Sequence, residues 1–276
     1  NQYYETITAL LDDERTDPNI QDENGDTALI FAVTNRHTAA ITALLANERT
    51  DPNIQDENGM TALLIAAAEG HTETIKALLA YERTDPNFKN QHGNSALLIA
   101  AMKGHTETIK ALLAYERTAP NIQDKDGNTA LIHAAINGDA SATTALLANE
   151  RTDPNIKNKD GITALMYAAP EGHTQVIKAL LANKRTNPNI KNKDGNTALI
   201  IAATHGHTEA ITALLSHERT DPNIKNENDY SALVFAATNG HTAAITALLA
   251  NERTDPNIQD ENGMTALLIA AAEGHT

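Results

Sequence analysis

Apolar residues recur along the chain in two kinds of short cluster, and polar, turn-forming segments separate them. The first kind is apolar at every position, as in Ala62 to Ala68, and it follows Thr61, a residue type that favours helix N-caps. The second kind places apolar residues three and four apart, as in Ile75, Leu78 and Leu79. This pattern predicts a helix covered on more than one side, followed by an amphipathic helix.

Turn-forming residues join these helices. In Glu69-Gly70-His71, the glycine supplies the left-handed conformation that ends a helix. Asp51-Pro52-Asn53 and Asp56-Glu57-Asn58-Gly59 are typical of two further turns, and the Ile54-Gln55 segment between them is too short for an independent strand. We therefore expect a short β-hairpin finger, then a helix, a tight turn, a second helix and a loop.

The same order returns every 34 residues. Prolines mark this period: Pro18, Pro52, Pro86, Pro120, Pro154, Pro188, Pro222 and Pro256. Residues 37–72 and 241–276 are identical over 36 positions. Because one unit cannot cover its own first helix, the repetition predicts a single array of about eight stacked units over residues 1–276. The array starts on a lone second helix and ends on a lone first helix.

The order of motifs resembles the ankyrin repeat family. Asp56 to Leu63 matches the family pattern D-x-x-G-x-T-P/A-L, and Ala66 to His71 matches A-A-x-x-G-H. Ile75 to Leu79 matches I-x-x-L-L, and Asp85-Pro86-Asn87 matches D-x-N. The resemblance implies an all-α ankyrin-repeat solenoid of antiparallel helix pairs with short β-hairpin fingers. It also implies that proteins bind to the fingers and to the exposed side of the first helices.

The chain departs from the family pattern in three ways. Its period is 34 rather than 33 residues, and the family's glycine after the second helix is missing. The histidine that usually follows T-P-L is apolar in every copy: Ile30, Leu64, Leu98, Ile132, Met166, Ile200, Val234 and Leu268. We therefore expect burial to replace the Thr–His hydrogen bond of the family.

Composition and charge exclude several classes of function. There is no Cys, so there is neither a disulfide framework nor a thiolate nucleophile. A net charge of −15 argues against a nucleic-acid or anionic-membrane surface. No apolar run is long enough to span a bilayer, so membrane insertion is not expected. The start, Asn1 to Glu5, is neither basic nor apolar and lacks Met. We expect a fragment or processed product of an intracellular protein.

Neither a catalytic, a metal nor a cofactor site is expected. All fourteen glycines fall in two repeat positions, so none remains for a phosphate-binding loop. Seven histidines share the turn between the two helices: His37, His71, His105, His173, His207, His241 and His275. We expect each ring to pack on and bond to a neighbouring turn rather than to bind a metal ion.

A candidate binding surface follows from the charge distribution. Residues 85–220 hold 13 acidic and 14 basic side chains, whereas residues 1–84 hold 15 and 5. Finger lysines and two tyrosines gather between residues 157 and 230, and His133 replaces an aliphatic residue on a first helix. The candidates are His133, Lys157, Lys159, Tyr167, Lys191, Lys193, Lys225 and Tyr230. They indicate a concave face that binds a protein or peptide with an acidic segment. Alternatively, the lysines are ordinary solvated surface residues, and His133 simply fills space on its helix.

Other functions remain as alternatives. The array could be a structural or elastic spacer, or a self-associating segment. In a spacer, near-identical copies would matter only because they make the array longer. Leu267, Leu268, Ile269 and the alanines at 270–272 should be partly exposed at the C-terminal end, which lacks a polar capping repeat. We expect this end to fray or to pack against another molecule, including end-to-end stacking of copies.

Overall fold

The computed structural model describes residues 2–274, and the side chains of residues 5–274. Sixteen helices lie within this range. In chain order they are α1 Gln2–Leu11, α2 Ala28–Thr34, α3 Thr38–Ala46, α4 Ala62–Ala68, α5 Thr72–Leu79, α6 Ala96–Lys103, α7 Thr106–Leu113, α8 Ala130–Ile136, α9 Ala140–Leu147, α10 Ala164–Ala168, α11 Thr174–Ala182, α12 Ala198–Thr204, α13 Thr208–Leu215, α14 Ala232–Thr238, α15 Thr242–Leu249 and α16 Ala266–Glu273. The all-α expectation is confirmed.

The first helix of each repeat begins where the sequence places a Thr or Ser. The Oγ1 of Thr61 accepts a hydrogen bond from the backbone N–H of Leu64 at 3.4 Å, which satisfies one orphan donor of α4. Leu64 is 1% exposed, so an apolar side chain fills the position where the family has histidine. The corresponding residues from Ile30 to Val234 are also buried, which confirms the expectation for these repeats, whereas it was wrong for Leu268, which is 50% exposed.

The chain divides into two compact parts, Asn1–Ala130 and Leu131–Thr276, each built of two layers. In the N-terminal part, α2, α4 and α6 pack in one layer, and α1, α3, α5 and α7 pack in the other. In the C-terminal part, α10, α12, α14 and α16 form one layer, and α9, α11, α13 and α15 form the other. Six first helices pack against the second helix of their own repeat, and within each part neighbouring first helices pack against one another: the six are α2, α4, α6, α10, α12 and α14.

The fingers contain less β structure than expected. The Oδ1 of Asp56 accepts hydrogen bonds from the N–H groups of Asn58 and Met60, both at 2.8 Å, and so closes the turn. Between residues 2 and 274, β pairing is limited to two isolated bridges, Gln55 with Thr61 and Gln259 with Thr265. Because side chains close the turn and the arms are two residues long, no ladder develops.

The two ends expose apolar side chains. At the C-terminal end, Leu267 is 79% and Leu268 is 50% exposed, as expected. The expectation was wrong for Ile269, which is only 9% exposed because α16 turns this side chain away from solvent. At the N-terminal end, Leu10 is 58% and Phe31 is 47% exposed.

Candidate functional site

An asparagine side chain fixes each loop to the loop of the next repeat. The Nδ2 of Asn53 donates to the carbonyl of Arg83, and its Oδ1 accepts from the N–H of Asp85, both at 2.8 Å. The same two bonds recur at Asn19, Asn87, Asn155, Asn189 and Asn223. These side chains therefore form a ladder that sets the spacing of the fingers.

An arginine caps the second helix of the preceding repeat. The guanidinium of Arg83 donates to the carbonyl oxygens of Leu45 (2.9 Å), Glu48 (2.8 Å) and Thr50. Equivalent bonds are made by Arg49, Arg117 and Arg253. The charge thus complements the C-terminus of the neighbouring helix, where carbonyl groups would otherwise lack partners.

Three of the seven histidines in the turns between helices bond to the preceding repeat, as expected. The Nε2 of His105 lies 3.0 Å from the carbonyl oxygen of Ala68, and that of His207 lies 2.7 Å from Pro170 O. His241 makes the same contact at 3.0 Å. His275 lies outside the described residues. These rings are held by backbone carbonyls, which explains their periodicity without metal chemistry.

Between residues 2 and 274, two non-glycine residues adopt a positive φ, and both occupy glycine positions of the repeat. Arg36 has φ 59° and Asp229 has φ 62°. The glycine between the two helices of a repeat leaves no room for a side chain. A Cβ added to Gly206 would lie only 2.8 Å from the ring of His241 in the following repeat. Burial, followed by the nearby Arg36 charge, lowers the pKa of His71, whose buried Nδ1 lacks a hydrogen-bond partner.

The finger lysines fall into two groups. Lys157 donates its Nζ to the carbonyl of Lys191 at 2.8 Å, and Lys191 donates to the carbonyl of Lys225 at 2.7 Å. Gln21 makes the equivalent bond to Gln55 at 2.7 Å, so an amide can replace the ammonium group. We call Lys157 and Lys191 the anchoring lysines, because they link consecutive fingers.

Lys159 and Lys193 lie two residues after the anchoring lysines, and their side chains are exposed. We call these two the outer lysines. Lys225 differs from both groups, because its Nζ forms an ion pair with Asp229 at 3.0 Å. Two of the five predicted finger lysines therefore present their charge to solvent without an anchoring role.

The predicted tyrosines are placed by different contacts. The hydroxyl oxygen of Tyr167 accepts a hydrogen bond from the Nδ2 of Asn158 at 2.9 Å, which ties α10 to its finger. The Tyr230 ring meets the Phe235 ring edge-on, with centroids 5.4 Å apart. His133 lies half-buried on α8, at the repeat position that Tyr167 occupies on α10. All three rings lie on the fingers and first helices.

A model of ankyrin repeats matches four overlapping segments, residues 1–89, 75–156, 134–226 and 218–276. Together these segments cover the whole chain. The chain belongs to the ankyrin repeat family. The resemblance found in the motifs is therefore confirmed, and so is the solenoid class of fold.

Solved ankyrin structures have similar folds. The ankyrin repeat domain of Bcl-3, described as a unique member of the IkappaB protein family, superposes with a TM-score of 0.71 at 22% sequence identity. That match covers 78% of this chain and 95% of the other. The ankyrin repeat protein EF0377 superposes with a TM-score of 0.64 at 30% identity, over 72% of this chain and 100% of the other. A search of curated proteins found no sequence match.

Ankyrin repeats generally mediate protein–protein interaction, and the family is a non-enzymatic interaction fold. Among the described residues, no group of three or more His, Asp or Glu side chains has the arrangement of a metal site. In the same part of the chain, none of the helices combines the length and the apolar character that crossing a membrane requires.

Sequence reasoning missed the residues that join the repeats. The turn chemistry of Asn53 predicted bonds within its own loop, whereas its side chain reaches 30 to 32 residues along the chain. Arg83 follows α5 in the sequence, yet its guanidinium caps α3 of the preceding repeat. The sequence did hold a signal for these bonds, because the asparagine and the arginine each recur at one repeat position. Periodicity alone does not show which backbone groups they bond to.

Proposed function

We propose that this ankyrin array is a non-catalytic interaction scaffold that binds a protein or peptide on the fingers and first helices between residues 157 and 230. The observation that carries this proposal is the division of the finger lysines. Lys157 and Lys191 link consecutive fingers, so Lys159 and Lys193 are held on a rigid frame. A partner that binds there would lose little free energy to ordering the surface.

The chemistry of this surface favours an acidic segment in the partner. The outer lysines supply positive charge, and the half-buried rings of Tyr167 and Tyr230 supply apolar area beside it. Asp160 and Asp194 follow the outer lysines directly, so the patch is mixed and the attraction modest. Residues 221–276 hold 8 acidic and 2 basic side chains, which would repel the same partner and limit where it binds.

A structural spacer or self-associating segment is the alternative function. The asparagine ladder and the arginine caps favour it, because both make the array stiff without using the outer lysines or the tyrosines. The two functions differ in one consequence. A spacer tolerates charge reversal at the outer lysines, whereas a scaffold for an acidic partner does not.

The experiment measures binding of fluorescein-labelled peptides rich in Asp and Glu, each with one Phe or Leu, by fluorescence anisotropy. Lys159→Glu with Lys193→Glu should weaken binding at least about tenfold in low salt, and less at ~0.15 M salt, where exposed charges are screened. The matched control is Lys157→Gln with Lys191→Gln, which keeps the finger bond that Gln21 makes. We expect the control to change affinity less than about threefold.

The proposal fails if no acidic peptide binds the unaltered protein above background. It also fails if the outer-lysine variant, folded by circular dichroism, binds as tightly as the control. A single-stranded DNA of equal charge is included, because lysines alone attract any polyanion. Tighter binding of this DNA than of the peptides would contradict an acidic protein partner.

A further inference from the structure

A row of half-buried apolar side chains runs along three first helices of the C-terminal part. Tyr167 on α10, Ile201 on α12 and Phe235 on α14 hold the same position in consecutive repeats, and each is half-buried. Their helices pack side by side in one layer. The Tyr230 ring supports Phe235 edge-on, with ring centroids 5.4 Å apart. We call Tyr167, Ile201 and Phe235 the apolar row.

The apolar row repeats at the spacing of packed helices. The axes of such helices lie about 8–10 Å apart, so consecutive members of the row stand at roughly that distance. In a polyproline II chain, the side chains on one face recur at every third residue, a distance of about 9.3 Å. In a β-strand they recur after only about 6.7 Å. A polyproline II segment with an apolar residue at every third position therefore fits the row.

Two hydrogen-bond donors beside the row suit an extended chain. The Nδ2 of Asn158 donates to the hydroxyl oxygen of Tyr167, and the Nδ2 of Asn226 donates to the Oδ1 of Asn196, both at 2.9 Å. Both supporting asparagines are buried. Their bonds use acceptor atoms, which leaves the hydroxyl hydrogen of Tyr167 and the amide hydrogens of Asn196 for a bound chain. The carbonyl groups of a polyproline II chain can accept them, whereas those of an α-helix are already paired.

Charge distinguishes this row from the same repeat position earlier in the chain. Phe31 and Ile65 hold that position within residues 1–130, but Glu23 and Glu57 occupy the finger positions that correspond to the outer lysines. In the C-terminal part, the outer lysines lie on the fingers that precede α10 and α12. An acidic chain is therefore repelled from the first set of apolar residues and attracted to the second.

We propose, on the basis of the scaffold function given above, that the partner segment is an acidic chain in polyproline II conformation with an apolar residue at every third position. Its apolar residues contact Tyr167, Ile201 and Phe235 in turn, and the acidic residues between them face Lys159 and Lys193. Such a chain is already extended before it binds, so little free energy is lost to ordering it. The row thus determines the spacing of the partner's anchors, and the lysines determine its charge.

The test compares fluorescein-labelled peptides by fluorescence anisotropy with the chain of residues 1–276 in low salt. Two peptides have the same composition of Leu, Pro and Glu, and they place three leucines at every third or at every second position. A third peptide has Ala in place of Pro, so that a helix can form, and leucines at every seventh position. Seven residues of α-helix also span about 10.5 Å, so this peptide tests a helical partner of equal spacing.

We expect the every-third peptide to bind at least about tenfold more tightly than the other two, since it alone combines the row's spacing with free backbone acceptors. Ile201→Ala should weaken its binding at least about fivefold, because the central contact of the row is lost. The matched control is Ile65→Ala, which changes the same residue type at the same half-buried position beside Glu57. The control should change affinity less than about twofold. Circular dichroism checks the fold of both variants.

The failure of this proposal can be told apart from the failure of the scaffold function. Equal binding of the three peptides, with the expected loss in the outer-lysine variant, would overturn the polyproline II partner and leave the scaffold standing. Tighter binding of the every-second or the every-seventh peptide would overturn it as well, and so would equal losses in Ile201→Ala and Ile65→Ala. If no acidic peptide binds the unaltered protein, both proposals fail.

Discussion

Residues 37–72 and 241–276 have one sequence and two environments. Within the first copy, Leu45, Leu63 and Leu64 are at most 2% exposed. The matching residues of the second copy, Leu249, Leu267 and Leu268, are 48%, 79% and 50% exposed. The first copy packs against α5 and α6, whereas α16 packs against α14 alone among the first helices of its part. Burial is therefore a property of the neighbours and not of the segment.

The helices of the two copies begin in the same way. Helices α3 and α15 begin at Thr38 and Thr242, and α4 and α16 begin at Ala62 and Ala266. The N-cap bonds agree as well, since Thr61 accepts from Leu64 at 3.4 Å and Thr265 accepts from Leu268 at 3.3 Å. N-caps act over a few residues, so identical residues begin their helices at the same positions in both copies, whereas the helix ends differ by one residue.

The largest expected difference between the copies is in the cost of removing a leucine. Leu64→Ala should destabilise its repeat by about 3 kcal/mol, because Leu64 is buried and leaves a cavity. Leu268→Ala should cost less than about 1 kcal/mol, because half of that side chain already contacts solvent. Native-state hydrogen exchange across α4 and α16 measures each loss locally. Equal losses at the two positions would contradict the comparison.

The arginine caps should show the opposite behaviour, with equal effects in the two copies. Arg49 donates to the carbonyl of Leu11 at 2.7 Å, and Arg253 donates to that of Leu215 at 2.8 Å. Both reach back to the preceding repeat, which is present in each case. Arg49→Gln and Arg253→Gln should each cost about 1–2 kcal/mol, measured by urea unfolding. A loss at one position only would mean that the following repeat, and not the preceding one, determines the cap.

Helix α9 offers the opposite comparison. Its sequence differs from that of the other second helices, but it has packed neighbours as they do. Thr143 stands where other repeats have isoleucine, and it is fully buried. Its hydroxyl donates to Asp139 O at 2.7 Å, so the cost is lost apolar burial of about 1 kcal/mol rather than an unpaired polar group. Residues 139–147 should exchange amide hydrogens earlier than 173–181, and Thr143→Ile should slow that exchange.

The Asp139 side chain opposes this effect, because it caps α9 by accepting from the N–H of Ala142 at 2.8 Å. The turn histidines make no such cap bond, as at His173 before α11. Asp139→His should therefore speed exchange in the first turn of α9 and serves as the control. If 139–147 proved as protected as 173–181 in the unaltered chain, the burial lost at Thr143 would be unimportant.

The smallest expected effect concerns the residue just before each copy, Arg36 in one case and Gly240 in the other. Arg36→Gly should stabilise the protein by about 0.5–1 kcal/mol, because φ 59° suits glycine. Burial and Arg36 hold the pKa of His71 below its ordinary 6.5, so the unfolded chain binds the proton more readily. The contribution of the neutral His71 ring to the free energy of unfolding is fully present above pH 6.5. It is lost progressively as the pH falls below that value.

Arg36→Gly should reduce this acid sensitivity, since it removes the second cause of the lowered pKa. Melting temperatures at about pH 7.5 and pH 5.5 measure both effects. The reciprocal control is Gly206→Arg, which should be destabilising because a Cβ there lies 2.8 Å from the His241 ring. A melting temperature for Arg36→Gly below that of the unaltered chain would contradict the account.

Much of the fold could be predicted because its signals are local and repeat. Thr61 predicted a cap, Gly70 predicted a positive φ, and the spacing of Ile75, Leu78 and Leu79 predicted the buried stripe of α5. The candidate surface was less predictable. Lysines at neighbouring finger positions look alike in the sequence, yet Lys157 anchors the next finger while Lys159 faces solvent.

The sequence by itself determined the repeat, the family, the helices, their caps and the tight turns. These depend on interactions between residues a few positions apart, which the order of residues specifies directly. Only the tertiary structure decided which side chains join the repeats and which copies are covered. Asn53 and Arg83 bond to backbone groups 30 to 38 residues away, and Leu64 and Leu268 differ in burial although their segments are identical. Contacts of that range depend on what is packed alongside, because burial removes water only where a neighbour takes its place.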